Sequence, residues 1–201
     1  TPFQRDFDVN DFSISHPFAT KEIVPGNLLI VESTIAPALV LAAWAYYRQL
    51  SLREIVYALN CMLTAITMTM AITDTTKEFV GELRPDFLSR CAPVKDDAGK
   101  YVCTGDTKFV NEGRASFPSG HSSLSFAGWF SLILFANGTM SPLLRRNAWI
   151  KTVLVLLIVP AAFTALSRSR DYRHHWQDIF VGSLLGTVVA YFWYHVTYHP
   201  P

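Results

Sequence analysis

The chain has 201 residues, of which 50% are hydrophobic, 13% aromatic and only 16% charged. A soluble domain averages about 25% charged residues, so this chain lacks the polar groups that clothe a globular surface, and its long apolar runs exclude intrinsic disorder. Its 17 Lys+Arg nearly balance 16 Asp+Glu, which leaves no global basic field to hold a nucleic acid.

The composition therefore reads as an integral membrane protein. A membrane helix needs about 20 mostly apolar residues, and five stretches qualify in chain order. Residues 27–47 carry one charge, Glu32, and an internal Pro37 that predicts a kink; 55–72 carry none; 122–144 contain an Asn137-Gly138 pair that reads as a helix end; 149–166 include Pro160; 179–196 carry Trp193 and Tyr194 as interface anchors. Gly182, Ser183 and Gly186 on the last stretch permit close helix contact. The connections alternate between tight turns, 48–53 and 141–147, and polar segments, 76–121 and 168–178. Counting crossings puts both polar segments and residues 1–25 on one side of the membrane. The expected fold is all-α, a polytopic transmembrane helix bundle forming a single domain over residues 1–201.

Which side that is stays open from the residues alone. The tight-turn side carries Arg48, Arg53, Arg145, Arg146 and Lys151, and the remaining basic residues lie on the other side, so the positive-inside rule makes the polar segments cytoplasmic. The cysteines argue the reverse. Cys61 sits in an apolar run and reads as a packing residue, whereas Cys91 and Cys103 share a polar segment and form the one plausible pair among three cysteines. A disulfide there requires an oxidising compartment.

Three clusters carry chemistry. Lys77 and Arg84 are seven residues apart, so on a helix ended by Pro85 both cations face one way; alone they read as interfacial cations reaching for head groups. Phe117-Pro118-Ser119-Gly120-His121 precedes an apolar run, with Ser119 placed to cap a helix whose N-terminus suits an oxyanion. In the third cluster, Ser167-Arg168 leads to His174 and Asp178, spaced i, i+4, close enough for the carboxylate to orient the imidazole if the stretch is helical. Alone, Asp178 reads as an acidic residue in the first turn of a helix. All three clusters lie at span ends on the same side, so they converge in a bundle as three cations around two histidines with one obvious carboxylate. That balance favours an anion, best a phosphate, over a metal.

The pattern Lys77-x6-Arg84-Pro85, Pro118-Ser119-Gly120-His121, then Ser167-Arg168-x5-His174-x3-Asp178 resembles the three signatures of the type 2 phosphatidic acid phosphatase family, the lipid phosphate phosphatases, without a departure. Arg84-Pro-Asp-Phe-Leu, Cys91, Asp171-Tyr-Arg-His-His-Trp and Ser15-His-Pro-Phe are similar to the fungal diacylglycerol pyrophosphate phosphatases. The resemblance implies a sixth span, the first, absent before Thr1, and an active site at the lumenal or extracellular membrane interface, with 1–25 and 76–121 lumenal. It further implies a multi-pass protein of the vacuolar or another endomembrane, with Asn137-Gly-Thr139 cytoplasmic and unglycosylated. It implies hydrolysis of diacylglycerol pyrophosphate and phosphatidate with no metal and no cofactor. In that scheme His174 is the nucleophile that becomes phosphohistidine, Asp178 orients it, and His121 is the acid and then the base. Lys77, Arg84, Ser119, Gly120 and Arg168 bind phosphate, and His175 is a supporting residue. The implied partners are a phosphorylated membrane lipid and the bilayer, not nucleic acid. Polyprenyl pyrophosphates and sphingoid phosphates are alternative substrates. A non-catalytic lipid-phosphate-binding scaffold is a rival, disfavoured because every signature position is filled. Vanadium haloperoxidases share the anion pocket but are largely soluble, and a transporter calls for more ionisable residues in the spans than Glu32 alone.

Overall fold

A computed structural model describes residues 1–197; the last four residues of the expected 1–201 domain lie outside the described residues. Helix α1 (Gly26–Tyr47) begins after Pro25 and widens into a π turn over Val31–Ile35. The cause is Pro37, which has no N–H to offer the Ser33 carbonyl one turn back. Helix α2 (Leu52–Val80) starts with a reciprocal cap, the Ser51 hydroxyl accepting from the Glu54 N–H while Glu54 accepts from the Ser51 N–H. Its 29 residues span roughly 43 Å at about 1.5 Å per residue, more than the hydrocarbon of a bilayer, so its last turns rise clear of the apolar layer.

The segment after α2, expected as a loop, is folded. It contains helix α3 (Phe87–Cys91), a hairpin of β1 (Pro93–Lys95) and β2 (Tyr101–Cys103) paired antiparallel with Val94 opposite Val102, and helix α4 (Thr107–Gly113). A disulfide joins Cys91 to Cys103 with their Cα atoms 4.6 Å apart. Residues 1–25 wrap over this segment, and Ile14, Leu83, Phe87, Cys91 and Val110 form a small core between them. Together they make a polar cap on one end of the bundle.

The chain continues through α5 (Gly120–Gly138), a short α6 (Pro142–Arg146), α7 (Ala148–Arg170) and α8 (Trp176–Thr197). Helix α7 is interrupted at Leu157 and Ile158, one turn ahead of Pro160, whose missing N–H breaks the ladder. Among the described residues four helices, α1, α2, α7 and α8, are long and apolar enough to cross a membrane. The fifth expected span, 122–144, stops at Gly138 and falls outside that set. Helix α5 packs against all four others, and ten of its 19 residues are buried, among them Ser122, Ser123, Ser125 and Ser131. A helix enclosed by neighbours meets little lipid, so small polar residues replace an apolar surface. A Cβ on Gly182 or Gly186 of α8 would overlap the backbone of α5 at Ser119 or Ser123, and one on Gly128 of α5 would overlap the Ser33 carbonyl of α1. The close contacts expected at Gly182 and Gly186 are thus realised. Cys61 is free and buried in the bundle core, beside Leu132 and Tyr194.

Candidate active site

Lys77 lies on the last turns of α2, but the helix does not run on to Pro85. Gly81, at φ +60°, ends it in the left-handed conformation, and the Phe3 carbonyl occupies the space where a Cβ would stand. Only glycine meets both demands. Arg84 therefore sits on an extended segment, held by its N–H donating to the Gly113 carbonyl at 2.8 Å. The two cations still converge, since both lie near enough to His174 to disfavour its charged form.

At the start of α5 the Ser119 hydroxyl accepts from the Ser122 N–H and Oγ–H, at 3.4 and 3.0 Å, and Ser119 is fully buried. Its own N–H donates to the Asp178 carbonyl at 3.0 Å, so α5 and α8 are joined at their N-termini. Gly120 follows, with the Lys77 ammonium 3.4 Å from where a Cβ would be. A larger residue would crowd the cation. His121 Nε2 lies 3.1 Å from the Val24 carbonyl and 3.5 Å from Arg168 Nη1. A carbonyl only accepts, so Nε2 carries the hydrogen.

The third cluster differs from its sequence reading in one respect. Helix α8 begins at Trp176, so His174 precedes it rather than sharing a helical face with Asp178. His174 Nδ1 is 3.7 Å from Asp178 Oδ2, too far for a hydrogen bond. Ser116 stands between: its Oγ–H donates to Asp178 Oδ2 at 2.6 Å and its oxygen lies 3.4 Å from His174 Nδ1. The orienting chain thus runs from Nδ1–H through Ser116 to the carboxylate, leaving the Nε2 lone pair unprotonated. Asp178 Oδ2 also accepts the His175 N–H at 2.9 Å, and the residue lies in the first turn of α8, the place its sequence reading alone gave it. Burial, reinforced by Arg84 and Lys77, pushes the His174 pKa down from 6.5 to about 3 against the opposing influence of the nearby Asp178 carboxylate. His174 is a neutral imidazole. Its neighbour His175, half-buried, has its pKa raised, first by its contact with Asp178, and its Nε2 lies 3.3 Å from the Ser13 carbonyl.

Arg168, at the end of α7, is 1% exposed and surrounded by acceptors: Nη1 donates to Glu22 at 2.7 Å, Nη2 to Asp171 at 2.8 Å, and Nε to Ser167 Oγ at 3.2 Å. The single carboxylate expected near the cations is therefore an undercount. An alternating series links the two arginines of the site: Arg84–Glu112 at 3.6 Å, Glu112–Arg90 at 3.2 Å, Arg90–Asp86 at 2.9 Å, Asp86–Arg173 at 3.4 Å, Arg173–Glu22 at 2.9 Å and Glu22–Arg168 at 2.7 Å. The Phe18 ring is held between the Arg90 and Arg173 guanidinium groups, 4.8 and 4.5 Å from its centre. Lys77, by contrast, makes no salt bridge among the described residues, which leaves it the most available cation.

Ser116, Glu22, Glu112, Asp86 and Arg173 carry no role in the sequence reading. Ser116 lies three residues before Ser119, and Asp86 and Arg173 lie within runs already singled out, so proximity to a motif was a usable signal for all three. Glu22 and Glu112 come from segments remote in sequence, and only the folded cap brings them to the arginines.

A family model described as the PAP2 superfamily matches residues 58–200. Diacylglycerol pyrophosphate phosphatase 1 of Saccharomyces cerevisiae is 38% identical over 99% of this chain and 73% of its own length. "Probable diacylglycerol pyrophosphate phosphatase 1" of Schizosaccharomyces pombe is 36% identical over 99% of this chain and 74% of its own. Lipid phosphate phosphatase 1 of Arabidopsis thaliana is 35% identical over 94% of this chain and 58% of its own. No solved structure matches.

Proposed function

The chain belongs to the PAP2 superfamily, and from that membership we propose that this membrane-embedded lipid phosphatase hydrolyses diacylglycerol pyrophosphate to phosphatidate, and phosphatidate to diacylglycerol, through a phosphohistidine. The observation that carries the reading is His174 held neutral beside Lys77 and Arg84, with its Nδ1 tied through Ser116 to Asp178.

In the first step His174 Nε2 attacks phosphorus as the P–O bond to the leaving group breaks. Burial and Arg168 push the His121 pKa down to about 4; the negative charge of a bound phosphate opposes that shift, so His121 enters the step as an imidazolium, keeps Nε2–H on the Val24 carbonyl and gives its other ring proton to the leaving oxygen. As positive charge develops on the His174 ring, the Ser116–Asp178 chain stabilises it. Water then attacks the phosphohistidine, His121 takes a proton from that water, and inorganic phosphate departs with His174 restored. Lys77, Arg84 and Arg168, with N–H groups of the first turn of α5 at Gly120, oppose the charge on the phosphoryl oxygens in the transition state. Three cations supply that role, and no step in this scheme is assigned to a metal or cofactor. Arg168 exchanges part of its contact with Glu22 for the phosphate. Ser119 acts mainly by fixing the helix start.

The site faces the lumen of the vacuole or another endomembrane compartment. The Cys91–Cys103 disulfide in the cap supports that side, since such bonds persist in oxidising compartments. An active site at the end of a lipid-facing bundle suits a phosphate on an anchored lipid.

The test is phosphate release from diacylglycerol pyrophosphate and phosphatidate in detergent micelles containing EDTA, with a polyprenyl pyrophosphate and a sphingoid phosphate alongside. The wild type is expected to release phosphate, and the His174→Ala variant to lose about four orders of magnitude or more. Full activity in His174→Ala would remove the nucleophile. Activity lost to EDTA and restored by a divalent cation would overturn the metal-independent scheme. Preference for either alternative lipid would reassign the substrate.

A further inference from the structure

Glu32 is a carboxylate on α1, in the membrane-crossing part of the chain, and the scheme above gives it no task. Its oxygens are both used. Oε2 accepts from Ser125 Oγ–H at 2.6 Å and Oε1 accepts from Trp129 Nε1–H at 2.7 Å. Ser125 and Trp129 follow His121 on α5 at intervals of four residues, so all three lie along one face of that helix. Thr164, one turn before Arg168 on α7, borders the same carboxylate.

Helix α1 is therefore registered on α5 at three points. Val24, just before α1, presents its carbonyl to His121 Nε2 at 3.1 Å; Glu32 grips Ser125 and Trp129; and the Ser33 carbonyl lies against Gly128, where any Cβ would overlap it. Both the Val24–Glu32 and the His121–Trp129 steps are eight residues, running in parallel from the cap into the bundle. Glu32 and Ser33 both lie within the π turn that precedes Pro37. A charge in hydrocarbon is costly, and this one is placed where it fixes the approach of Val24 to the ring that delivers the proton.

We infer that Glu32 is a positioning residue for His121, holding α1 and α5 in the register that keeps the Val24 carbonyl on His121 Nε2–H and thereby aims the ring at the leaving oxygen. The inference rests on the acid role given to His121 above. Acid assistance matters most when the leaving oxygen is a poor leaving group, so loss of position should be selective in a way that general loss of structure is not.

The experiment compares kcat/KM for phosphatidate, an alkyl phosphate, with that for 4-nitrophenyl phosphate, whose leaving group departs without a proton. Glu32→Ala is expected to lose about tenfold to a hundredfold on phosphatidate, the range of an ångström-scale misplacement, and less than about threefold on the aryl ester. Glu32→Gln keeps an acceptor for the indole and a donor for the serine hydroxyl, and should stay within about threefold of wild type on both substrates. Equal losses on the two substrates, or no loss on either, would overturn the positioning role. Should Glu32→Ala fail to fold in detergent, the Ser125→Ala/Trp129→Phe double variant removes the same two bonds from the other side and must show the same selectivity. His121→Ala serves as the reference. If it loses both substrates equally, the acid role itself fails; if it is selective and Glu32→Ala is not, the present inference alone fails.

Discussion

The bundle and the cap bury opposite kinds of residue. Within the bundle the tightest contacts are made by glycine and serine, while large apolar side chains such as Leu39, Phe163, Leu184 and Phe192 are turned outward and more than half exposed. In the cap and the helix ends packed under it the buried residues include Arg84, Arg90, Arg168 and Arg173 with Asp86 and Asp171. The solvent explains the contrast. Lipid tails are as apolar as leucine, so helices in a membrane gain little by hiding leucine and associate through close packing and hydrogen bonds. The cap is polar, and each of the four arginines named is buried against at least one carboxylate. The site lies where these two regimes meet.

The cap should break most easily at its centre. Asp86→Asn removes the charge that joins Arg90 to Arg173, leaving Arg90 with Glu112 alone and Arg173 with Glu22 alone, and is expected to cost up to about 3–5 kcal/mol. A thermal melt in detergent would read it; an unchanged midpoint would mean that the ionic series is not what holds the cap. In the bundle the matching test is Gly186→Ala, which sets a Cβ against the Ser123 backbone and should cost about 1–3 kcal/mol by overpacking. A melt equal to wild type would show that α5 and α8 separate freely, contrary to the packing described.

At their junction, Ser116→Ala removes the bridge between His174 and Asp178 but no charge. We expect kcat to fall about tenfold with KM within about twofold, because the interaction strengthens only as the ring becomes charged. A rise in KM at constant kcat would instead make Ser116 a binding residue. The same junction sets a pH dependence. The His174 pKa is depressed in the folded chain to about 3 from 6.5, so below 6.5 the unfolded chain takes up a proton that the folded one refuses. The stability linked to this ring is therefore complete above 6.5 and is lost as pH falls toward 3. The melting temperature should decline on acidification, and less steeply in His174→Gln; parallel declines would show that the ring is not the proton-linked group.

Much was legible in the sequence because it depends on spacing along the chain. The apolar runs are set by bilayer thickness, so the four strongest spans show in composition alone, and Ser119, Gly120 and His121 declare a capped helix start by their order. The three clusters reach one site because a helix bundle returns span ends to the same plane. What escaped the sequence depends on which surfaces meet. Gly81 ends α2 where a motif-based reading expected Pro85, because the Phe3 carbonyl takes the space of a side chain. Helix α5 is poorer in apolar residues than an outer span because its neighbours, not lipid, surround it. Ser116 stands between His174 and Asp178, and Glu22 reaches Arg168 across 146 positions. Local order along the chain singled out the residues proposed to carry the chemistry. Only the packing of the cap onto the bundle decided how each cation is balanced and each ring aimed, because charge pairing and close approach act through space and leave no period in the sequence.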